Sequence, residues 1–260
     1  MELQLYQIDT FTDELFKGNP AGVCPLDHWI SDELMLSIAS ENNLSETAFF
    51  VYLNNTFNIR WFTPFAEVDL CGHATLASAF VLFNCMNYKN DTIIFSSRSG
   101  ELIVKKQGNY LQMDFPSQKP IQCATPAYLT EGLAKTPQHI LKGADYIVVY
   151  ENEEDIISIN PDFLILKKVQ TRGVCVTAPG NGVDFVSRFF APGLGVNEDP
   201  VCGSAHCELV PYWADRLNKT KLSAQQLSKR GGKLNCELSK DRVLISGQAK
   251  LYLDGKIKVL

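Results

Sequence analysis

The sequence is short of positive charge. Its 24 lysines and arginines are outnumbered by 29 aspartates and glutamates, for a net charge of −5. No basic cluster is available to neutralise a phosphate track, so no nucleic-acid partner is expected. Long apolar runs are also missing. The longest, such as Ala74–Phe83, cannot span a bilayer, and no membrane partner is expected. The opening MELQLYQIDTF has neither a basic n-region nor an apolar h-region. That predicts no signal peptide and a cytoplasmic location. Neither a Gly-x-Gly-x-x-Gly fingerprint nor a Gly-rich Lys-Ser/Thr phosphate loop occurs, so no nucleotide cofactor is expected. The eight cysteines are Cys24, Cys71, Cys85, Cys123, Cys175, Cys202, Cys207 and Cys236. They form no Cys-x-x-Cys pair, and the four histidines show no zinc-ligand spacing. A disulfide framework and a metal are therefore both unexpected.

What is present is a chain of 260 residues with 45% hydrophobic content, enough for an ordinary core. That length suits one large domain or two of about 130 residues. Most of it reads as short strands. Phe57–Phe62 alternates, with Phe57, Ile59 and Trp61 on one face. Thr92–Ser96, Glu101–Lys105 and Leu111–Phe115 follow, separated by turns at Ser99-Gly100 and Gln107-Gly108. The last segment, 248–259, reads as a hairpin turning at Asp254-Gly255, because Asp-Gly between alternating strands favours a type I′ turn. Helices are fewer. Ser31 caps 32–40, with Asp32 and Glu33 complementing the dipole. The segment 73–83 is apolar nearly all round, which predicts a helix buried on every side. His206–Ala214 is its counterpart in the second half. The fold class is α+β: antiparallel strands wrapped around a few central helices.

An internal comparison adds the most. Arg60-Trp-Phe-Thr-Pro64 and Arg188-Phe-Phe-Ala-Pro192 lie 128 residues apart, about half the chain. An acidic stretch and a Cys-Gly follow each one: Glu67-Val-Asp-Leu-Cys71-Gly72-His73-Ala74, then Glu198-Asp-Pro-Val-Cys202-Gly203-Ser204-Ala205. The repeat predicts two pseudo-symmetric halves whose equivalent loops face one another across a cleft, a favoured place for a ligand.

Both Cys-Gly turns lead into a helix. First-turn N–H groups and the positive dipole end attract anions, and glycine lets a ligand approach the backbone. Gly72, Ala74, Gly203 and Ala205 are thus candidates for holding a small carboxylate, although glycines also serve simply to permit tight turns. Glu46 lies in Leu44-Ser-Glu-Thr-Ala-Phe, on the same strand face as Ala48 and Phe50. A carboxylate on an apolar face is placed to act as a general acid or base, or it reaches solvent at the strand end. His73 is a proton carrier, a substrate hydrogen-bond donor or a helix-capping residue. Asp199 orients a substrate or stabilises its own loop, and His206 reads as structural. Cys71 and Cys202, at helix N-termini where thiol pKa values fall, offer a thiolate base and a thiol acid or merely fill space.

At these residues the chain resembles the phenazine-biosynthesis PhzF-like family, of diaminopimelate-epimerase-like fold. The resemblance runs through Phe16-Lys-Gly-Asn-Pro-Ala-Gly-Val23, Leu44–Phe49, Arg60–Pro64, Asp69–Thr75, Asp184–Pro192, Glu198–His206 and Ser228-Lys-Arg-Gly-Gly232. It implies two barrel-like halves, each a mostly antiparallel sheet around a central helix, over residues 1–120 and 121–260, with the chain free to cross back near its termini. It also implies a homodimer, no metal and no organic cofactor. A cofactor-independent isomerase is implied, in which the glutamate of Ser-Glu-Thr-Ala-Phe, here Glu46, moves a proton near the carboxylate of an amino-acid-like or cyclic acid. His73, Asp199 and Ser204 match the other catalytic positions. One departure is the second cysteine. Relatives that racemise or epimerise amino acids use two cysteines before the two glycine turns, and this chain has Cys71 and Cys202 there. A two-cysteine racemase is thus the enzymatic alternative, and a non-catalytic small-molecule-binding protein is the alternative outside catalysis.

Overall fold

A computed structural model describes residues 1–259. Its contacts divide the chain into two units, Met1–Asp114 together with the segment from Ser246 onward, and Phe115–Ile245. The first half of the chain runs β1 (Glu2–Thr10), β2 (Asn19–Leu26), α1 (Asp32–Asn42), β3 (Glu46–Leu53), β4 (Thr56–Phe62), β5 (Glu67–Val68), α2 (Gly72–Phe80), β6 (Thr92–Ser97), β7 (Gly100–Gln107) and β8 (Tyr110–Pro116). The second half runs β9 (Ile121–Gln122), α3 (Leu129–Leu133), β10 (His139–Lys142), β11 (Tyr146–Val149), α4 (Glu153–Ser158), α5 (Phe163–Leu166), β12 (Val174–Pro179), β13 (Phe185–Ala191), β14 (Val196–Asp199), α6 (Gly203–Leu217), β15 (Lys221–Gln226), β16 (Gly232–Ser239) and β17 (Arg242–Gly247). A last strand, β18 (Ala249–Lys258), returns to β1.

The internal repeat is written into strand direction. In the first unit β1–β2 is antiparallel, β2–β3 parallel, β3–β4 antiparallel, β4–β6 parallel and β6–β7 antiparallel. In the second, β10–β11, β11–β12, β12–β13, β13–β15 and β15–β16 follow the same alternation. Each parallel step needs a crossover, and α1, α2, α4, α5 and α6 lie in these crossovers. The repeated arginines explain why the motif recurs. Arg60 grips Glu67 with two hydrogen bonds of 2.7 Å and reaches Asp32 at the start of α1. Arg188 grips Glu198 at 2.8 and 3.0 Å and caps the carbonyls of Ile156 and Ile159 at the end of α4. Both forks tie an outer helix to the sheet edge, so Glu67 and Glu198 are scaffold acids rather than chemical ones.

Each unit carries an inner and an outer helical layer. Outside, α1 buries Met35, Ile38 and Ala39 against Cys24, Leu26, Phe49 and Val51. In the second unit, Leu129, Leu133, Ile156 and Leu166 pack on Val174, Val176 and Phe190. Each of the larger side chains contributes about 1.5–3 kcal/mol by leaving water. On the inner side, α2 packs on β1, β2 and β3, and every residue from His73 to Ala79 is buried. It continues as a π-turn over Val81–Cys85. The second inner helix, α6, runs past the expected 206–214 at both ends and straight through Pro211. Proline has no N–H to give Cys207, four residues back. The Gln118 N–H supplies the missing bond to the Cys207 carbonyl at 2.9 Å.

Ser31 caps α1 as the sequence implied, its hydroxyl accepting from the Leu34 N–H at 3.3 Å. The expected C-terminal hairpin is not formed. β18 passes straight through Asp254 and Gly255, paired to β1 from Thr10↔Ala249 to Glu2↔Lys258 with one irregularity at Gln7/Ile8. The long partner strand offers pairing along its whole length, and tertiary pairing overrides turn propensity. Among the described residues, no helix is long and apolar enough to cross a membrane.

Candidate active site

Glu46 opens β3, level with Ala21 of the parallel strand β2. The strand behind it is buried from Thr47 to Val51, while the Glu46 side chain keeps 20% of its exposure. His73 is the second residue of α2, and Cys71 is that helix's N-cap. The three side chains converge. His73 Nε2 lies 3.2 Å from Glu46 Oε2, within charge-pairing distance, though the two atoms miss the alignment of a hydrogen bond. On the other edge of the ring, Nδ1 lies 3.5 Å from Cys71 Sγ. Burial pushes the His73 imidazole down from 6.5 to about 4, so the ring is neutral at pH 7. The nearby carboxylate favours the charged ring, but desolvation of a fully enclosed imidazole outweighs it. Thr75 Oγ1 donates to the Cys71 carbonyl at 2.6 Å and fixes the turn. Cys71 provides no side-chain cap, so the first-turn N–H groups at Gly72, His73 and Ala74 have no capping acceptor from that residue.

The second Cys-Gly turn repeats this plan with different chemistry. Cys202 is the N-cap of α6, again without a side-chain cap. Its sulfur lies 3.3 Å from Ser204 Oγ, two residues on, as Cys71 lies beside His73. Its carbonyl accepts from His206 Nδ1 at 2.8 Å, four residues on, as that of Cys71 accepts from Thr75. Gly203 and Ala205 are buried in this turn. His206 is structural, as its position implied. Asp199 ends β14, and one of its carboxylate oxygens accepts from the Val201 N–H at 3.2 Å. Gln226 straps the loop, donating to the Asp199 carbonyl at 2.7 Å and accepting from the Cys202 N–H at 3.0 Å. Ser228 adds a bond of 2.8 Å to the Pro200 carbonyl. For Cys202 the expectation of a lowered thiol pKa is overturned. Burial, with Asp199 adding to it, pushes the thiol well above its ordinary range.

The site residues thus fall into two local sets: Glu46, Cys71 and His73 in one unit, and Asp199, Cys202 and Ser204 around one turn of the other. Glu46, Cys71 and His73 each offer an atom within 4.8 Å of the other two, a spacing that a single small ion could also span. Among the described residues no other set of histidine, cysteine and acidic side chains gathers this closely.

The structure adds residues that no motif pointed to. Arg172 NH1 donates to Ser204 Oγ at 3.0 Å. The rest of its guanidinium forks onto Asp145, which has no exposure at all, with Nε at 2.9 Å and NH2 on the second oxygen. Glu208, buried in α6, accepts from the Ala144 and Asp145 backbone N–H groups. Desolvation raises the Glu208 carboxyl above its ordinary value. Arg172 fills one acceptor position on Ser204, and the serine hydrogen has the Cys202 sulfur within reach at 3.3 Å.

Comparison with known proteins agrees over the whole length. Residues 8–255 match the family model described as phenazine biosynthesis-like protein, PhzC-PhzF. An uncharacterized isomerase of Pseudomonas aeruginosa is 52% identical over 257 residues, covering 99% of each chain. The crystal structure of a PhzF-family phenazine biosynthesis protein from Enterococcus faecalis matches with a TM-score of 0.97 at 48% identity, covering 100% of both chains. That of a putative PhzC/PhzF protein from Clostridium difficile matches with a TM-score of 0.94 at 45% identity, covering 99% of this chain and 100% of the other.

Proposed function

The chain belongs to the phenazine biosynthesis-like (PhzC-PhzF) family, with an α+β fold of the diaminopimelate-epimerase-like kind, and from that premise we propose that it is a cofactor-independent isomerase of a small carboxylate-bearing substrate, with Glu46 as the group that moves the proton. The observation that carries this reading is the placement of Glu46: a largely buried carboxylate at the start of a buried strand, faced by a neutral, enclosed imidazole. A proton taken from carbon beside the substrate carboxylate forms an O–H on Glu46, whose partial exposure lets that hydrogen exchange with solvent, and the O–H then delivers a proton to a second carbon. The substrate ends with its atoms and charge unchanged. His73 faces the glutamate at 3.2 Å, and Gly72 and Ala74 of the same unit present backbone N–H groups to the substrate carboxylate.

The two-cysteine racemase reading is weaker, because a thiol base must ionise near neutral pH and burial opposes that at Cys202. A binding protein without turnover is the remaining alternative. The test is a screen of amino-acid-like and cyclic carboxylates in deuterated water, with label uptake read by mass spectrometry. Carbon-bound deuterium above the protein-free control supports the isomerase. Tight binding of a carboxylate without label uptake or rearrangement contradicts it.

A further inference from the structure

The proposed chemistry leaves unused a buried thiol that lies beside His73. Cys71 is only 7% exposed, it caps α2 without a capping bond, and its sulfur sits on the edge of the His73 ring. A neutral imidazole carries one N–H, and the nitrogen without it is an acceptor. The Nε2 of His73 faces the Glu46 carboxyl at 3.2 Å and its Nδ1 faces the Cys71 thiol at 3.5 Å. An ionised carboxylate offers lone pairs only, whereas a thiol offers one hydrogen. One assignment suits both sides: the ring hydrogen on Nε2, where the Glu46 charge attracts it although the pair misses hydrogen-bond alignment, and the S–H on Nδ1. The opposite tautomer sets the Nε2 lone pair against those of the ionised glutamate.

We propose that Cys71 is a positioning residue, whose thiol donates to His73 Nδ1 and locks the ring in the Nε2–H tautomer that faces Glu46. This rests on the reading of Glu46 as the acid–base group, and it says what the thiol contributes to that reading. A ring already protonated at Nε2 accepts no second proton without becoming an imidazolium, which its enclosure disfavours. Proton return to substrate therefore runs from the Glu46 carboxyl, which exchanges only with solvent at its exposed side, and not through the histidine. Cys71 needs no thiolate for this role.

The second unit carries an internal reference. His206 is also buried and neutral, and its Nδ1 lies 2.8 Å from the Cys202 carbonyl, which can only accept. His206 is therefore the Nδ1–H tautomer, the reverse of His73. The chain has four histidines, and the other two, His28 and His139, are exposed. Long-range 1H–15N correlation spectra of the intact, 15N-labelled chain at pH 7 distinguish the two forms, because protonated and bare ring nitrogens resonate far apart. The expected spectrum has His73 protonated at Nε2 and His206 at Nδ1. In Cys71→Ala the His73 nitrogens shift toward each other as the second tautomer becomes populated. Cys71→Ser, whose hydroxyl also donates, keeps the wild-type pattern. An unchanged His206 pattern reports that each variant is folded. A wild-type His73 protonated at Nδ1 overturns the proposal, and so does a Cys71→Ala spectrum with the His73 pattern intact. Normal turnover by a Glu46→Gln variant would sink the functional reading without moving these resonances, so the two failures are separable.

Discussion

Lowering the pH should destabilise the second unit through a single residue, His206. Its ring is wholly buried, tilted against Phe185 at 5.8 Å between centroids, with Nδ1 bound to the Cys202 carbonyl. Nε2 has no hydrogen-bond partner, so a second ring proton would be buried without an acceptor. Burial accordingly lowers this histidine from 6.5 to about 4, against a smaller opposing effect of the carbonyl bond. The folded-state value is depressed, so the contribution is fully present above the unfolded value of 6.5 and is lost as pH falls toward about 4. Across that window the unfolded chain holds one proton more than the folded chain. The slope is roughly 1.4 kcal/mol per pH unit, and the whole interval is on the order of 3 kcal/mol. Carboxylates add their own pH dependence, so the quantity to measure is a difference. Urea unfolding of wild type and His206→Gln at pH 7, 6 and 5 should give a wild-type curve that falls more steeply, by about 1.4 kcal/mol per unit in mid-window. Parallel curves for the two proteins would refute the reasoning.

Two further substitutions test the network behind Ser204. Arg172→Met strands the fully buried Asp145 carboxylate, and breaking a buried pair this way costs about 3–5 kcal/mol; an unchanged thermal midpoint would show that Asp145 is not held by Arg172. Gly143→Ala places a methyl group against the Glu208 carboxylate, which its bonds to Ala144 and Asp145 hold in place, and overpacking of this kind costs about 1–3 kcal/mol. Chemical denaturation reads that loss, and a variant as stable as wild type would mean that Glu208 is free to move aside.

The features legible in the sequence were those with a local cause. Ser31 followed by Asp32 and Glu33 announces a capped helix, and a cap forms. The alternation of Phe57, Ile59 and Trp61 gives a strand with that face buried. The repeated arginine motif was legible as a repeat, but its partners emerged only in three dimensions: two acids seven and ten residues away, plus an outer helix. Asp254-Gly255 misled because β1, some 250 residues distant in sequence, competes for the same backbone. The support behind Ser204 was not legible at all. Arg172 meets Asp145 across 27 residues and Glu208 meets Asp145 across 63, with no motif at either end. The Cys202 thiol was misjudged because a pattern shows a helix start but not how thoroughly the sulfur above it is desolvated.

The central claim is that Glu46, and neither cysteine, carries the proton. The most direct measurement follows deuterium washing into a substrate identified by the carboxylate screen, comparing wild type, Glu46→Gln and the double variant Cys71→Ser with Cys202→Ser. General acid–base catalysis contributes about 10²–10⁴ in rate. The account predicts that Glu46→Gln loses exchange by at least about 10²-fold while remaining folded, and that the double serine variant exchanges at close to the wild-type rate. Exchange abolished in the serine variant and retained in Glu46→Gln would contradict it and assign the chemistry to the thiols.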